Sequence, residues 1–548
     1  MVGLKRVEDR PTPSAIYNKR VYLAAITAAF AAVMIGYDSA FFGSTITLAS
    51  FKSEFGAGKV TSNSANLVSL YQAGAFFGSL AAYPAGVILG RRWGLLISSI
   101  VFVVGAAIML AAKDGNLGPI YGGRVIAGFG IGAASNLTPL YISEIAPPAI
   151  RGQLVGMYEI GWQIGGLVGF FLPYGVAQNL SPTSRTQWIV PFAVQIIPGG
   201  LFALGIPLFV RESPRWLISR SRREEAIKNL CYLRNLDERD PYLVQEINDI
   251  DLQVEHDRTS AGSGFWAPIR HLFTNWFLTR RLLIVSNLFL WQNATGINAI
   301  NYYAPTIFRS VGITGGNTGL LTTGLFGVVK TVCSLLWAFF IIDHFGRRGI
   351  LLVGSVGCAV SMYIVGAYIK IAQPQNNAVG ASLSPGGTAA VFFLYLWTTS
   401  YAISWNGTPW VVNSEAFPGA VRTVTQCLAA TSNWFWNFII ARFTPDMFRQ
   451  MGDDGNGFGV YIFFASMTLL SIPYLVFLLP ETKNVPLEEM DRLFLDKHPW
   501  TANKRVMATL QAERADRQNA QEEVLFQQKP AGEQQFVENA GAKKTESV

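Results

Sequence analysis

Long apolar runs separated by polar connections dominate the pattern of the chain. The run from Leu95 to Ala112, for example, contains no charged side chain. A helix of about 20 predominantly apolar residues is long enough to cross the hydrocarbon core of a bilayer. Counting such runs predicts twelve membrane spans in two groups of six, at 21–45, 65–89, 94–112, 117–142, 152–176, 187–210, 282–309, 318–342, 349–371, 387–413, 423–447 and 457–479.

The polar segments divide the chain into five parts. Residues 1–20 form an N-terminal segment, and the first six spans make up an N-terminal half at 21–210. A charged linker at 211–281 has a helical pattern and precedes the C-terminal half at 282–479. The tail at 480–548 is rich in Gln, Glu and Lys, so we expect it to be disordered beyond its first turns.

Charge placement predicts the orientation of the spans. Basic residues fall on alternate short connections, on the same side as the linker, and cytoplasmic loops of membrane proteins carry such an excess. We therefore expect both termini to be cytoplasmic. The residues that support this are Arg91, Arg92, Arg151, Arg347, Arg348 and Arg422.

Composition agrees with a membrane protein and excludes other classes. Hydrophobic residues make up 50% of the chain and charged residues only 14%, against about a quarter in soluble domains. The net charge of +8 could suggest a nucleic-acid partner, but the positive-inside tendency already explains it. No metal cluster, nucleotide loop or nucleophile constellation is recognisable, so we expect neither an enzyme nor a bound metal or cofactor.

An internal repeat relates the two halves. SEIAPPAIR, from Ser143 to Arg151, follows the fourth span, and SEAFPGAVR, from Ser414 to Arg422, follows the tenth. Gly-Arg-Arg follows both the second span and the eighth. This predicts two structural repeats related by an axis along the membrane normal. Positive-inside charge alone would explain the arginines but not the paired glutamates.

Several segments resemble the sugar-porter family of the major facilitator superfamily. They are GRVIAGFGIG, PLYISEIAPPAIRG, ESPRWL, GINAINYYAP, DHFGRR, NWFWNF and PETK, and WQNATGINAINYY and SWNGTPWVVNSE look more narrowly like fungal quinate permeases and related sugar transporters. The resemblance implies an all-α membrane protein with twelve transmembrane helices, the major facilitator fold, and a cytoplasmic helical linker. It also implies a plasma-membrane location and a monomeric functional unit.

The resemblance also implies a cytoplasmic gate. We expect its charges to form a salt-bridge cluster that holds the halves together in one state and releases them in the other. One departure weakens its first part, because Val87 and Ile88 stand where the family usually has Asp-Arg. The expected gate residues are Arg91, Arg92, Glu144, Arg151, Glu212, Arg215, Asp343, Arg347, Arg348, Glu415, Arg422 and Glu481.

Four ionisable residues stand out inside the predicted spans, where charge is costly and therefore suggests function. Asp38 and Arg124 match a pair that links protonation to transport in proton-coupled members of the family. A static ion pair between two helices is the alternative. Glu159 and Lys330 replace a Gln and an Asn that contact substrate in the family. They either bridge the central cavity, or Lys330 binds a substrate carboxylate while Glu159 accepts hydroxyl hydrogen bonds or a proton.

Neutral polar and aromatic side chains complete the expected substrate site. Amides offer paired donors and acceptors to a polyhydroxylated ring, and aromatic rings cover its C–H faces. Packing between helices through amides is the structural alternative. The full set of expected substrate-binding residues is Glu159, Gln163, Gln292, Asn293, Asn298, Tyr302, Lys330, Trp410 and Asn437.

From this resemblance we expect a transporter that imports quinate or a related polyhydroxylated ring compound, with protons as the coupling ion and the lipid bilayer as its surroundings. A hexose or pentose proton symporter is the alternative within transport. A membrane nutrient sensor that signals through its tail is the alternative of another class.

Overall fold

A computed structural model describes residues 12–313, 316–342, 344–374, 383–452, 457–483, 485–486, 489–496 and 498–527 of the chain. All regular elements within these ranges are helices. We number the membrane spans 1 to 12. In the first half, spans 1 to 5 are Lys19–Thr45, Ala57–Ile88, Arg91–Leu110, Gly118–Ile145 and Arg151–Asn179, and span 6 consists of Thr186–Val194 and Ile196–Phe209.

The second half repeats this arrangement with two broken spans. Span 7 consists of Trp276–Ala294 and Ile297–Ser310, and span 10 of Pro385–Ala402 and Thr408–Glu415. Span 8 is Gly316–Leu336 continued by Trp337–Ile341, and spans 9, 11 and 12 are Arg347–Ala372, Gly419–Gln450 and Phe458–Phe477. Short helices at Ser14–Ile16, Ala49–Phe55 and Pro148–Ile150 lie between or before the spans.

The twelve predicted spans are confirmed as helical segments. In the described part of the chain, eight helices are long and apolar enough to cross a membrane by length and composition. The remaining four segments are spans 2, 7, 10 and 11. Spans 7 and 10 are interrupted, so their pieces are short, and spans 2 and 11 carry polar residues along their length.

The breaks in spans 7 and 10 have local causes. Gly296 has a φ of +90°, a left-handed conformation that glycine adopts without steric cost, and it separates the two helices of span 7. In span 10, residues 403–407 interrupt the helix just before Pro409. Such breaks free backbone carbonyls at membrane depth, which other groups must then satisfy.

The linker folds into four helices, Pro214–Ser219, Arg223–Arg234, Pro241–Ala261 and Ala267–Thr274. Its attachment to the first half includes a buried ion pair. Arg234 bonds to Glu246 at 2.6 Å within the linker and donates to the carbonyl of Ile145 at the end of span 4. The predicted helical linker is thus observed as a docked layer.

The expectation of a disordered tail is wrong for the residues up to 527. Met490–Leu495 and Pro499–Gln527 are helices, and the rest of the tail lies outside the described residues. The carboxylate of Asp491 lies 2.7 Å from the buried guanidinium of Arg281, at the start of span 7. Apolar side chains on these segments pack against one another, which stabilises the helices despite their polar composition: Val485, Met490, Leu493, Ala502, Val506 and Leu510.

The two halves meet along three pairs of spans. Span 2 packs on span 11, where the hydroxyls of Ser79 and Thr431 lie 3.0 Å apart. Span 5 packs on span 8. Span 1 approaches span 7 so closely that a Cβ on Gly43 would collide with the backbone carbonyl of Tyr302, so only glycine fits there. A polar cavity lies between these contacts.

Candidate functional site

A central cavity lies between the two halves. Spans 5, 7, 8, 10 and 11 supply most of its wall, and both broken spans contribute. All the expected substrate-binding residues line it except Gln163, which lines an adjoining recess of about 280 Å³. The wall contains Ser39, Glu159, Trp162, Gln292, Asn293, Ile297, Asn298, Asn301, Tyr302, Lys330, Tyr401, Asn406, Trp410, Asn433, Trp434 and Asn437.

Gln292 hydrogen-bonds the backbone carbonyls that the break in span 10 leaves free. Its amide nitrogen donates to the carbonyls of Trp405 (2.7 Å) and Asn406 (3.0 Å). These are carbonyls of the interrupted segment, so Gln292 supports the cavity wall as well as lining it. The ring of Trp410 packs edge-on against Phe289 with centroids 4.7 Å apart, which fixes an aromatic surface beside this amide.

A chain of amides crosses the floor of the cavity. Asn298 donates to Asn293, and Asn293 donates to Asn433 of span 11 at 2.9 Å. In contrast, the Oδ1 atoms of Asn301 and Asn437 are buried and have no hydrogen-bond partner among the described residues. These two oxygens can accept hydrogen bonds from a ligand in the cavity.

Glu159 and Lys330 both face the cavity but form no ion pair with each other within the described part of the chain. One Glu159 oxygen instead accepts from the amides of Asn406 (2.7 Å) and Gln163 (2.6 Å). The Lys330 ammonium, on a side chain only 7% exposed, makes no ion pair or hydrogen bond within the ranges described, although the charge of Glu159 acts on it. The structure therefore contains a buried cation that lies near an anchored carboxylate without contacting it directly.

Asp38 and Arg124 form a buried ion pair between spans 1 and 4. Their Oδ1 and Nη1 atoms lie 2.6 Å apart, and both side chains are fully inaccessible. Arg124 also donates to the carbonyl of Val68 at 3.1 Å, and its guanidinium lies 3.9 Å from the ring centre of Phe42. The second oxygen of Asp38 has no hydrogen-bond partner among the described residues.

Gln72 connects this ion pair with the cavity. With its amide oriented to match its neighbours, its nitrogen donates to the carbonyls of Val68 (2.5 Å) and Ser69 (3.1 Å). Its oxygen accepts from the hydroxyl of Tyr302, at 3.0 Å. Because Arg124 bonds to the same Val68 carbonyl and Tyr302 lines the cavity, a continuous polar path joins the two sites.

Charges of the first half that were expected to form the gate cluster at the start of span 3. Arg91 binds Glu144 through two parallel hydrogen bonds of 3.0 and 2.8 Å. The carboxylate of Glu212 accepts from the backbone N–H groups of Arg91 and Arg92, so it caps the N-terminus of the helix. Burial raises the pKa of Glu212, while hydrogen bonds from the backbone of Ser213, Arg91 and Arg92 and the charge of Arg91 oppose that rise.

The second half repeats this cluster at the start of span 9. Arg347 binds Glu415 at 2.8 Å. Glu481 accepts from the backbone N–H groups of Arg347 and Arg348, each at 2.9 Å. Thr482 adds a hydrogen bond to the other oxygen of Glu415. The repeat predicted from the sequence therefore corresponds to two equivalent capped helix ends.

This arrangement differs from the expected cluster between the halves. Both arginine–glutamate pairs join spans of the same half, because each acidic side chain lies beside a helix N-terminus of its own half. Arg215 instead bonds to Gln253 of the linker, and Arg422 to the carbonyl of Phe417. Arg151 has further contacts of its own, and Asp343 lies outside the described residues.

Sequence reasoning missed several residues of the site. Asn406 belongs to a sequon inside a span, yet it is the residue that anchors Glu159. Gln72, Asn433 and Trp434 are polar or aromatic residues of spans that pack across the two halves. A systematic list of every amide inside a predicted span would have included Gln72, Asn406 and Asn433. Asn301, which was not among the expected substrate-binding residues, also lines the cavity.

Curated relatives match nearly the whole chain. A protein of Emericella nidulans named quinate permease is 57% identical over 510 residues, which cover 92% of this chain and 94% of the relative. A protein of Aspergillus niger named probable quinate permease is 56% identical over 518 residues, covering 93% of this chain and 95% of the relative.

Solved structures with a similar fold include a bacterial sugar transporter. The proton:xylose symporter XylE of the major facilitator superfamily, bound to 6-bromo-6-deoxy-D-glucose, has a TM-score of 0.70 and 25% identity, covering 86% of this chain and 99% of that chain. The inward open form of XylE from E. coli gives a TM-score of 0.67 with the same identity and coverage. A family profile described as sugar (and other) transporter matches residues 24–494. The chain is therefore a multi-pass membrane transporter that belongs to the sugar (and other) transporter family.

Proposed function

We propose that the protein imports quinate or a related polyhydroxylated ring acid by proton symport with alternating access. The observation that carries the substrate class is the Lys330 ammonium at the central cavity, which makes no direct ion pair among the described residues. A buried cation without a partner is unfavourable, and a carboxylate that binds beside it supplies the missing charge. The names of the relatives, quinate permease and probable quinate permease, support the same class.

The surroundings of Lys330 suit the hydroxylated ring of such an acid. Glu159 is tied to Asn406 and Gln163 through one oxygen, which leaves the other as an acceptor for ring hydroxyls. Asn301 and Asn437 offer two more buried acceptors. The aromatic surface of Trp410 covers an apolar ring face. The carboxylate of the substrate would thus bind Lys330, while its ring hydroxyls would bind Glu159, Asn301 and Asn437.

Proton coupling is assigned to Asp38 and Arg124. Protonation of Asp38 removes the negative charge that neutralises Arg124, so the guanidinium then relies on the Val68 carbonyl and the aromatic ring of Phe42. Because Gln72 links the same carbonyl to Tyr302, a change at the ion pair alters the cavity wall. Substrate binding and protonation would thereby favour the same state of the cycle.

A neutral monosaccharide symporter is the second candidate. It is supported by the amides of the cavity, including Gln292, Asn293 and Asn298, and by the similarity to the proton:xylose symporter XylE. In that case Lys330 would donate hydrogen bonds to sugar hydroxyls rather than bind a carboxylate.

We further propose that the protein resides in the plasma membrane as a monomer with both termini in the cytoplasm. The basic residues on alternate short connections support this orientation.

The proposed function is tested by uptake into cells that lack their own carriers. Labelled quinate is challenged with unlabelled quinate, glucose, xylose, arabinose and galacturonate at two pH values, while the pH of the medium is followed. We expect competition by quinate, little competition by neutral sugars, and alkalinisation of the medium during uptake. Competition by a neutral sugar alone would favour the second candidate, and equilibration without a pH effect would exclude symport. Absence of any uptake would refute transport of this class.

A further inference from the structure

An exposed set of aromatic and basic side chains lies where the linker enters span 7. On the helix Ala267–Thr274 and its preceding residue, Trp266, Arg270 and Phe273 follow a spacing of four and three, so they share one helix face. Trp266 is 71% exposed and Phe273 is 57% exposed. We call this set, with the exposed residues that open span 7, the aromatic–arginine face: Trp266, Arg270, Phe273, Trp276, Phe277 and Arg280.

The opposite side of the same helix is already covered by protein. Leu272 is fully buried, and Ile269 packs against the main hydrophobic core, to which both halves contribute. The carbonyl of Phe265 accepts a hydrogen bond of 2.8 Å from Tyr83 of span 2, and the carbonyl of Leu272 accepts one from Thr279 of span 7. The helix is therefore held at both ends, and its exposed aromatic residues are not needed for its own packing.

The position of the aromatic–arginine face relative to the bilayer, and its charge, indicate which molecules cover it. Asn275 alone separates the helix from span 7, so the face lies where the chain enters the bilayer. Residues 262–281 contain no Asp or Glu, and Arg270 and Arg280 are exposed among the aromatic rings. The preceding helix Pro241–Ala261 differs sharply, with five acidic residues in 21. Aromatic rings prefer the headgroup region, and exposed arginines near it attract anionic lipids.

We propose that the aromatic–arginine face binds anionic phospholipids of the cytoplasmic leaflet. The rings enter the interface between headgroups and acyl chains, and the two arginines bind the phosphate and carboxylate groups of lipid headgroups. Because the same helix is bonded to span 2 and leads into span 7, a bound lipid ties the linker to both halves. The proposal uses the proposed orientation of the chain and is independent of the transported substrate.

The test measures binding of phosphatidylserine and phosphatidylcholine to the purified full-length protein by native mass spectrometry. One basic residue near an anionic surface contributes a factor of about five, so we expect R270Q/R280Q to weaken phosphatidylserine binding about 25-fold. Phosphatidylcholine binding should stay unchanged in that variant. R270K/R280K keeps the charges and should retain most of the affinity. R239Q, which removes an exposed arginine elsewhere in the linker, is the matched control.

Hydrogen exchange locates the effect. In nanodiscs that contain phosphatidylserine, residues 262–275 should exchange more slowly than in phosphatidylcholine alone, and W266S/F273S should lose that protection. Equal phosphatidylserine affinity in R270Q/R280Q and R239Q would overturn the proposal. The proposal would also be overturned if W266S/F273S abolished a protein dimer but left lipid binding intact, because the aromatic–arginine face would then bind a second copy of the protein. Neither outcome bears on substrate uptake, which is measured separately.

Discussion

Replacing Lys330 with Asn tests how the cavity recognises an acid. A hydrogen-bonded contact to a charged group contributes about 1.5–3 kcal/mol net, whereas an exposed ion pair contributes at most about 1 kcal/mol. The Lys330 side chain is only 7% exposed, so the higher range applies. Loss of this contact should raise the KM for quinate by roughly 10- to 150-fold. Uptake of any neutral sugar that the protein accepts should change little.

The empty protein should not lose stability in this variant. Lys330 forms no direct ion pair in the described part of the chain, so its replacement removes the cost of a buried charge and loses only the longer-range attraction to Glu159. Uptake kinetics with labelled quinate and xylose, combined with thermal unfolding of the purified protein, separate binding from stability. Lys370→Asn, at an exposed site, serves as the control. An equal loss of acid and sugar uptake, or a marked drop in Tm, would refute the role of Lys330 as a carboxylate ligand.

Three further substitutions probe the cavity and the coupling path. Asn406→Leu removes one of the two amides that hold Glu159 and lets the carboxylate turn towards Lys330. The KM for quinate should then rise roughly tenfold, for about 1.4 kcal/mol, with an unchanged fold by circular dichroism; an unchanged KM would contradict the anchoring role. Asp38→Asn should abolish accumulation against a gradient but retain exchange of labelled for unlabelled substrate in proteoliposomes, and accumulation that survives would exclude Asp38 as the coupling group. Gln72→Leu should lower the number of protons moved per substrate more than it lowers binding, as measured by pH and tracer together; proportional losses would indicate a purely structural role.

Hydropathy predicted the spans well because each must be apolar over the thickness of a bilayer. Their ends were less accurate, since a helix can extend beyond the membrane: span 2 begins at Ala57, eight residues before the predicted start at 65. The tail helix was missed because its overall composition is polar. Ala502, Val506 and Leu510 nevertheless recur every four residues, which is the spacing of an apolar helix stripe, and the structure buries them together.

The residues of the cavity were largely predicted, but their pairing was not. Glu159 and Lys330 have opposite charges, so a bridge between them was a reasonable alternative from sequence. The structure connects Glu159 to Asn406, which is 247 positions away, because the break in span 10 places that amide at the cavity. Sequence patterns do not specify such a tertiary contact. Similarly, the gate charges permit pairing within or between halves, and only the helix geometry distinguishes the two.

The two capped helix ends have a consequence for the ancestry of the chain. Glu212 and Glu481 occupy equivalent places after the sixth and the twelfth spans, and each caps the third helix of its own half. A gene that encoded six spans and a short extension would thus have specified one six-span half whose arginines and glutamates already pair within that half. Doubling that gene joins two finished units, and the extension of the first copy becomes the linker while that of the second remains as the tail. Descent from such a duplication accounts for a linker and a tail that both begin with the same capping glutamate.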